Sequence, residues 1–335
     1  MNATSDSRLR HFPVSWFAVA MGLTGLTVAW QRAEQHFRWP QAVSSGLLPL
    51  ATLVFVVLAA LYTLKLLRYP HEVRAELAHP VKLAFVPAIS IALLLLATAW
   101  LPFAPGAAYA LWLAGSVLHL AATLYVLSSW MHHAHYQIGH LSPAWFIPVV
   151  GNILVPVIGV QLAPLEVSWF FFAIGIFFWP VLTAILFYRL VFHPALPQRL
   201  LPTLFILIAP PAVGLLAYTN LTGALDAFAQ VLYGVALFFT LLLATQVRAF
   251  ARLPFFLSWW AYSFPLAAVT LATLRMARLT GGALYDRLAL LLLAVATVAI
   301  ALLFARTLLA VARREICVEE APAAAPAAAA TPGRG

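Results

Sequence analysis

Apolar residues run along this chain in long stretches interrupted at intervals by short polar breaks. Ten stretches can be drawn, at roughly 12–33, 45–67, 81–101, 107–132, 145–163, 166–190, 202–219, 225–249, 257–277 and 284–312. A helix that crosses a bilayer needs ~20 mostly apolar residues. The breaks carry turn chemistry or charge, as in Arg38-Trp39-Pro40, Tyr69-Pro70-His71-Glu72, Pro102 to Gly106, Pro143, Pro164, His193-Pro194 and Gly281-Gly282. The pattern predicts an all-α integral membrane protein of ten transmembrane helices, with no room for a folded soluble domain. The first stretch follows Arg8 and Arg10, as in a signal peptide. Its length and the lack of a small-x-small cleavage pattern read as a retained helix. Past Glu320 the chain is Ala-Pro-rich and cannot bury a core. The expected organisation is a cytoplasmic segment 1–11, a transmembrane domain 12–315 and a disordered cytoplasmic tail 316–335.

Composition agrees with the pattern. Hydrophobic residues make up 64% of the chain and charged residues 9%, with a mean hydropathy of +0.96. That is too little polar surface to cover a water-exposed globule. No nucleotide-binding glycine loop and no Cys/His zinc spacing is present, and Cys317 is the single cysteine, so no intrachain disulfide forms. The net charge of +9 reads as helix-flanking residues that set topology rather than as a nucleic-acid surface. With the N-terminus inside, fourteen of the 19 Lys and Arg residues fall on inner segments, which predicts that both termini are cytoplasmic.

Proline adds a repeat. The odd-numbered stretches contain Pro13, Pro87, Pro156, Pro211 and Pro265, and in four of the five a small residue follows three positions later: Ser90, Gly159, Gly214 and Ala268. Pro148 adds a second break to the fifth stretch; Pro49 lies near the start of the second, and Pro180 is the deep proline of the even set. A proline inside a spanning helix frees a carbonyl, which neighbouring helices or a wet cavity must satisfy. The repeat predicts five helical hairpins whose odd members are bent and packed around a common centre. Broken helix ends expose N–H dipoles that favour anions.

The ten acidic residues fall at helix ends, loops or termini, and Lys65 and Lys82 lie near the inner interface. No midspan lysine and no buried carboxylate pair is therefore expected, which disfavours a proton-driven pump. His132, His133, His135 and His140 cluster after the fourth stretch; they read as an interfacial helix end rather than a metal site. His119 lies inside the fourth stretch, but no second helix offers the histidines a haem would need. No metal or other cofactor is expected. Ser15, Thr24, Ser90, Asn152, Thr203 and Thr270 are the polar groups on odd stretches that a permeant ion would meet, with helix–helix hydrogen bonding as the alternative for each. Gly22 and Gly25 permit close packing of the first helix. The strongest local feature is Ser258-Trp259-Trp260-Ala261-Tyr262-Ser263-Phe264-Pro265-Leu266. Phe264, restricted by the following proline, is either a packing residue or an apolar plug in a pore.

The Trp260-to-Leu266 run resembles the ninth span of the plant guard-cell slow anion channels. The chain as a whole is similar to the TehA-like bacterial branch, the tellurite-resistance/dicarboxylate transporter family. Met21-Gly22-Leu23-Thr24-Gly25 through Ala29-Trp30, His79-Pro80 and Ile147-Pro148-Val149-Val150-Gly151-Asn152 extend the likeness across roughly residues 11–315. The resemblance implies a homotrimer with a pore in each subunit. Five odd helices would form a quasi-fivefold ring around each pore, with a span-nine phenylalanine, here Phe264, occluding it. It implies passive passage of small anions such as chloride and nitrate in a bacterial-type inner membrane. A C4-dicarboxylate or tellurite-related secondary transporter is the alternative, for which His119 is the titratable group available.

Overall fold

The structure, a computed structural model, describes residues 8–133 and 136–317. Among these residues it is helical without strands, and nine helices are long and apolar enough to cross a membrane. They are span one (Val14–Phe37), two (Ala42–Arg68), three (Leu83–Trp100), four (Pro105–His132), six (Leu165–Phe192), seven (Leu201–Thr222), eight (Ala227–Ala244), nine (Leu257–Thr280) and ten (Ala283–Ala312). Span five, Pro143–Gly159, is a shorter apolar helix, interrupted at Gly151–Leu154 by a 3-10 segment.

Odd and even spans differ in two ways. The four long odd spans are buried over 67% to 83% of their apolar cores, and the even spans over 17% to 33%. All of span five is buried except Trp145, Gly151 and Val157. The even spans turn Leu, Val and Phe outward, for example Leu53, Val117, Phe177, Phe238 and Leu302, the surface expected against lipid chains. Each odd span packs against the even span that follows it, giving five hairpins. The odd spans also touch in sequence, one to three, three to five, five to seven and seven to nine, and nine returns to one.

The second difference explains the prolines. Every even span is a continuous α-helix, whereas every odd span opens with 3-10 turns: Val14–Trp16, Leu83–Phe85, Pro143–Trp145, Leu201–Ile208 and Leu257–Tyr262. Pro87 caps the α-helical part of span three, Pro156 is second in Val155–Gly159, Pro210 and Pro211 open Ala209–Thr222, and Pro265 is third in Ser263–Thr280. These prolines start α-helices rather than bend their middles, at positions whose N–H would have no intrahelical partner. Pro13 likewise precedes the first 3-10 turn. Pro49 lies inside the helix of span two, not at its start.

Side chains of span five and its neighbours reach carbonyls along its broken helix. Thr123 Oγ1 donates to Pro148 O at 2.6 Å, Asn152 Nδ2 to Val149 O at 2.7 Å, Trp112 Nε1 to Val155 O at 2.9 Å and Asn220 Nδ2 to Val157 O at 2.8 Å. A backbone break inside a bilayer requires such partners. At the other end of the chain, Ile316 and Cys317 pack against the core instead of opening the tail. Trp16 Nε1 lies 3.3 Å from Cys317 Sγ, and Arg8 Nη2 donates to Ile316 O at 3.2 Å. The remainder of the expected tail, from 318, and His135 lie outside the described residues.

Candidate anion pathway

A cavity of about 80 Å³ lies where the odd spans converge. Every lining residue comes from an odd span, and all five contribute. The lining reaches as far as Met21, Ile91, Leu154, Val213 and Pro265 and includes nothing beyond them. The cavity therefore sits toward the N-terminal ends of the odd spans, around their 3-10-to-α junctions. The wall is apolar apart from the serines Ser15 and Ser258 and backbone such as Gly151. It carries no charged side chain.

Phe264 is part of this wall and is 8% exposed. It belongs to the α-helix of span nine, so the following proline has not forced it out of helical geometry. Its place is fixed from two sides. A Cβ built at Gly25 would stand 3.2 Å from Phe264 Cδ2, so span one offers the ring a side-chain-free surface. Trp260, one turn earlier and buried, donates from Nε1 to Thr307 Oγ1 at 2.9 Å, which ties span nine to span ten.

Ser15, and Ser258, Trp260, Ala261, Phe264 and Pro265 of the span-nine run, border the cavity. Pro13, Pro87, Pro156 and Pro211 sit at helix starts. Gly214 faces Leu232 on span eight. Ser90 bonds Pro87 O and His119 Nδ1, each at 2.8 Å. Asn152 turns its amide nitrogen to Thr123 Oγ1 at 2.9 Å. Thr203 bonds the carbonyl of Leu200, just before its span, and Thr270 that of Leu266 one turn earlier, and Thr24 is fully buried with no partner on its hydroxyl. These groups hold helices together or stand behind the wall. His132 and His133 are exposed and His140 is half-buried; the ring nitrogens of His132 and His133 bond carbonyls at 2.9 and 3.1 Å. Among the described residues no three His, Cys, Asp or Glu residues are grouped to hold a metal ion.

Two features were not legible in the sequence. Ser258 appeared there as part of an aromatic run, and only the 3-10 turn of span nine brings it to the wall. Glu76 and Lys65 read as interfacial residues but form a buried ion pair, with Nζ to Oε1 at 2.8 Å. Lys65 Nζ also donates to Phe12 O at 2.8 Å, and Tyr62 OH to Glu76 Oε2 at 2.9 Å. Their polar types gave no signal of burial, because the second surface comes from the N-terminal segment and the helix Pro70–Ala78.

The chain is 28% identical over 308 residues to the S-type anion channel SLAH3 of Arabidopsis thaliana, an alignment covering 90% of this chain and 48% of that one. It is 26% identical over 305 residues to an uncharacterized transporter of Methanocaldococcus jannaschii, covering 84% and 89%. The tellurite resistance protein TehA homolog of Haemophilus influenzae is 28% identical over 275 residues, covering 80% and 81%. The chain spans about half the length of the first two plant relatives it matches. Residues 11–308 match the SLAC1 family, described as voltage-dependent anion channel, and the chain belongs to that family.

Proposed function

We propose that this protein is an anion channel rather than an enzyme, passing small monovalent anions such as chloride and nitrate down their electrochemical gradient. The odd spans form a quasi-fivefold ring around the conduction path, and Phe264 occludes it. The observation that carries the reading is the cavity lined by all five odd spans and by no even one. An uncharged apolar wall suits passive movement, and an aromatic ring in such a wall closes it by excluding water. Basic residues at the mouths raise the local anion concentration. The active form is a homotrimer with one pore per subunit in the cell's inner membrane. Both termini are cytoplasmic, with 12–315 as the channel domain.

Chloride current across planar bilayers tests this reading, comparing wild type with Phe264→Ala. The variant is expected to raise anion-selective current by about tenfold or more, because a methyl group no longer fills the constriction. A Phe264→Ala protein that inserts and assembles normally yet passes no more anion than wild type overturns it. The second reading is a coupled C4-dicarboxylate or tellurite-related transporter. The observation favouring it is His119, fully buried with Nε2 unpartnered. A Cβ at the cavity residue Gly151 would lie 2.8 Å from that nitrogen. pH-driven malate uptake in liposomes without chloride current would establish it.

A further inference from the structure

Beyond the cavity, the same faces of spans one and nine continue toward the opposite mouth. Met21 and Phe264 both line the cavity. Three turns of α-helix return to within about 20° of the same face after 11 residues and ~16 Å of rise. From Met21 that step leads to Arg32, and from Phe264 to Arg275, along uninterrupted α-helix in both cases. Both arginines are half-buried. Arg275 is held toward span seven, its Nε donating to Thr219 Oγ1 at 3.0 Å and its Nη2 to Thr219 O at 3.2 Å. Arg32 Nη1 donates to Gln35 Oε1 at 3.1 Å. Arg278, exposed, lies within electrostatic reach of both, and Arg32 and Arg275 lie within reach of each other.

A helix C-terminus attracts cations, which accounts for an arginine at one helix end. It does not account for three arginines gathered across two helices with no counter-ion. None of them forms a salt bridge among the described residues. Three carboxylates near this end are already engaged. Glu34 accepts from the Ser44 hydroxyl and from the backbone N–H groups of Val43 and Ser44. Asp286 pairs with His36 at 2.7 Å, and Asp226 accepts from Tyr218. Like charges brought together at low dielectric repel, and an anion between them reverses the sign of that interaction.

We propose that Arg32, Arg275 and Arg278 form an anion-binding site at this far mouth, with a preference for a small planar oxyanion over a halide. A guanidinium presents a rigid fork of donors that matches two oxygens of a planar anion, whereas a spherical halide accepts without using the fork. The site loads or releases ions at the end of the path opposite the Phe264 cavity, and it rests on the reading of that path as the conduit.

Purified full-length protein in detergent provides a readout that does not need conduction. The unfolding midpoint is followed as nitrate replaces gluconate at constant ionic strength, and again with chloride. Wild type is expected to be stabilised saturably, with nitrate acting at lower concentration than chloride. Arg32→Gln/Arg275→Gln should raise the half-effective nitrate concentration by roughly tenfold or more. Arg32→Lys/Arg275→Lys should keep the attraction and level nitrate with chloride. Should the Gln pair fail to fold, Arg278→Gln, at an exposed position, should give a smaller shift of the same sign. The proposal is overturned if wild type shows no nitrate response, or if the Gln pair or Arg278→Gln responds as wild type does. Bilayer currents on a Phe264→Ala background keep the two readings apart. Current with an unchanged nitrate response removes this site alone, and a nitrate response without current removes the channel.

Discussion

Gly22 carries more of the architecture than any catalytic-looking side chain, because it sets how closely span one approaches span nine. A Cβ there would stand 2.2 Å from Ser263 Oγ and 2.6 Å from Ser263 Cβ. Ser263 has little freedom to retreat, since its hydroxyl donates to Trp260 O at 2.6 Å and the residue is fully buried. Gly22→Ala is therefore expected to push span nine away and to cost about 1–3 kcal/mol, as overpacking does. Thermal unfolding in detergent checks it, and an unchanged midpoint would show that the contact relaxes freely. The spacing of Gly22 and Gly25 signalled close packing in the sequence. Which helix approached, and that Gly25 would face the Phe264 ring, came from the fold.

At the scale of elements, helix ends decide where turns and junctions fall. Asp226 precedes span eight as its N-cap; its carboxylate accepts from Ala229 N at 3.0 Å and from Tyr218 OH at 2.5 Å, which ties the cap to the end of span seven. The Tyr218 hydroxyl, followed by the Ala229 N–H, holds the Asp226 carboxyl below its usual range. A carboxylate with a lowered folded-state pKa contributes stability above its unfolded value, about 3.9, and loses it as pH falls through the folded value. Asp226→Asn should accordingly lower the unfolding midpoint at pH 7 relative to wild type. The gap should close as the pH drops below about 4. A gap that is constant with pH would assign the effect to shape rather than charge. The prolines belong to this scale too. Their spacing marked five related helices, but a sequence cannot separate a proline that kinks a helix from one that starts it. The preceding 3-10 turns make that difference.

For the whole molecule, the Lys65–Glu76 pair joins span two, the surface helix Pro70–Ala78 and the N-terminal segment through Phe12 O. Breaking a buried pair from one side leaves a charge without compensation, at about 3–5 kcal/mol, whereas replacing both by apolar groups of similar volume is often close to neutral. Glu76→Gln should therefore destabilise the protein strongly, and Lys65→Met/Glu76→Leu should recover most of the loss. Denaturation of both variants in detergent tests the pair. If the double variant is no better than the single one, the hydrogen bonds to Phe12 O and from Tyr62 matter more than the charge.

The sequence by itself determined the number of apolar helices, their approximate ends and the odd–even repeat. Those properties follow from hydropathy and from proline's missing N–H, and both act locally along the chain. It also marked Phe264 through the run around Pro265. It did not determine which polar groups face the cavity. Ser15 and Ser258 border it, whereas Ser90 and Asn152 bond His119 and Thr123 on span four. A hydroxyl or amide on a buried helix satisfies its hydrogen bonds with whatever neighbour the packing supplies. That neighbour is chosen by helix rotation and by contacts between residues far apart in the chain. The cavity itself is of the same kind: no single span encodes it, and it exists where five of them meet.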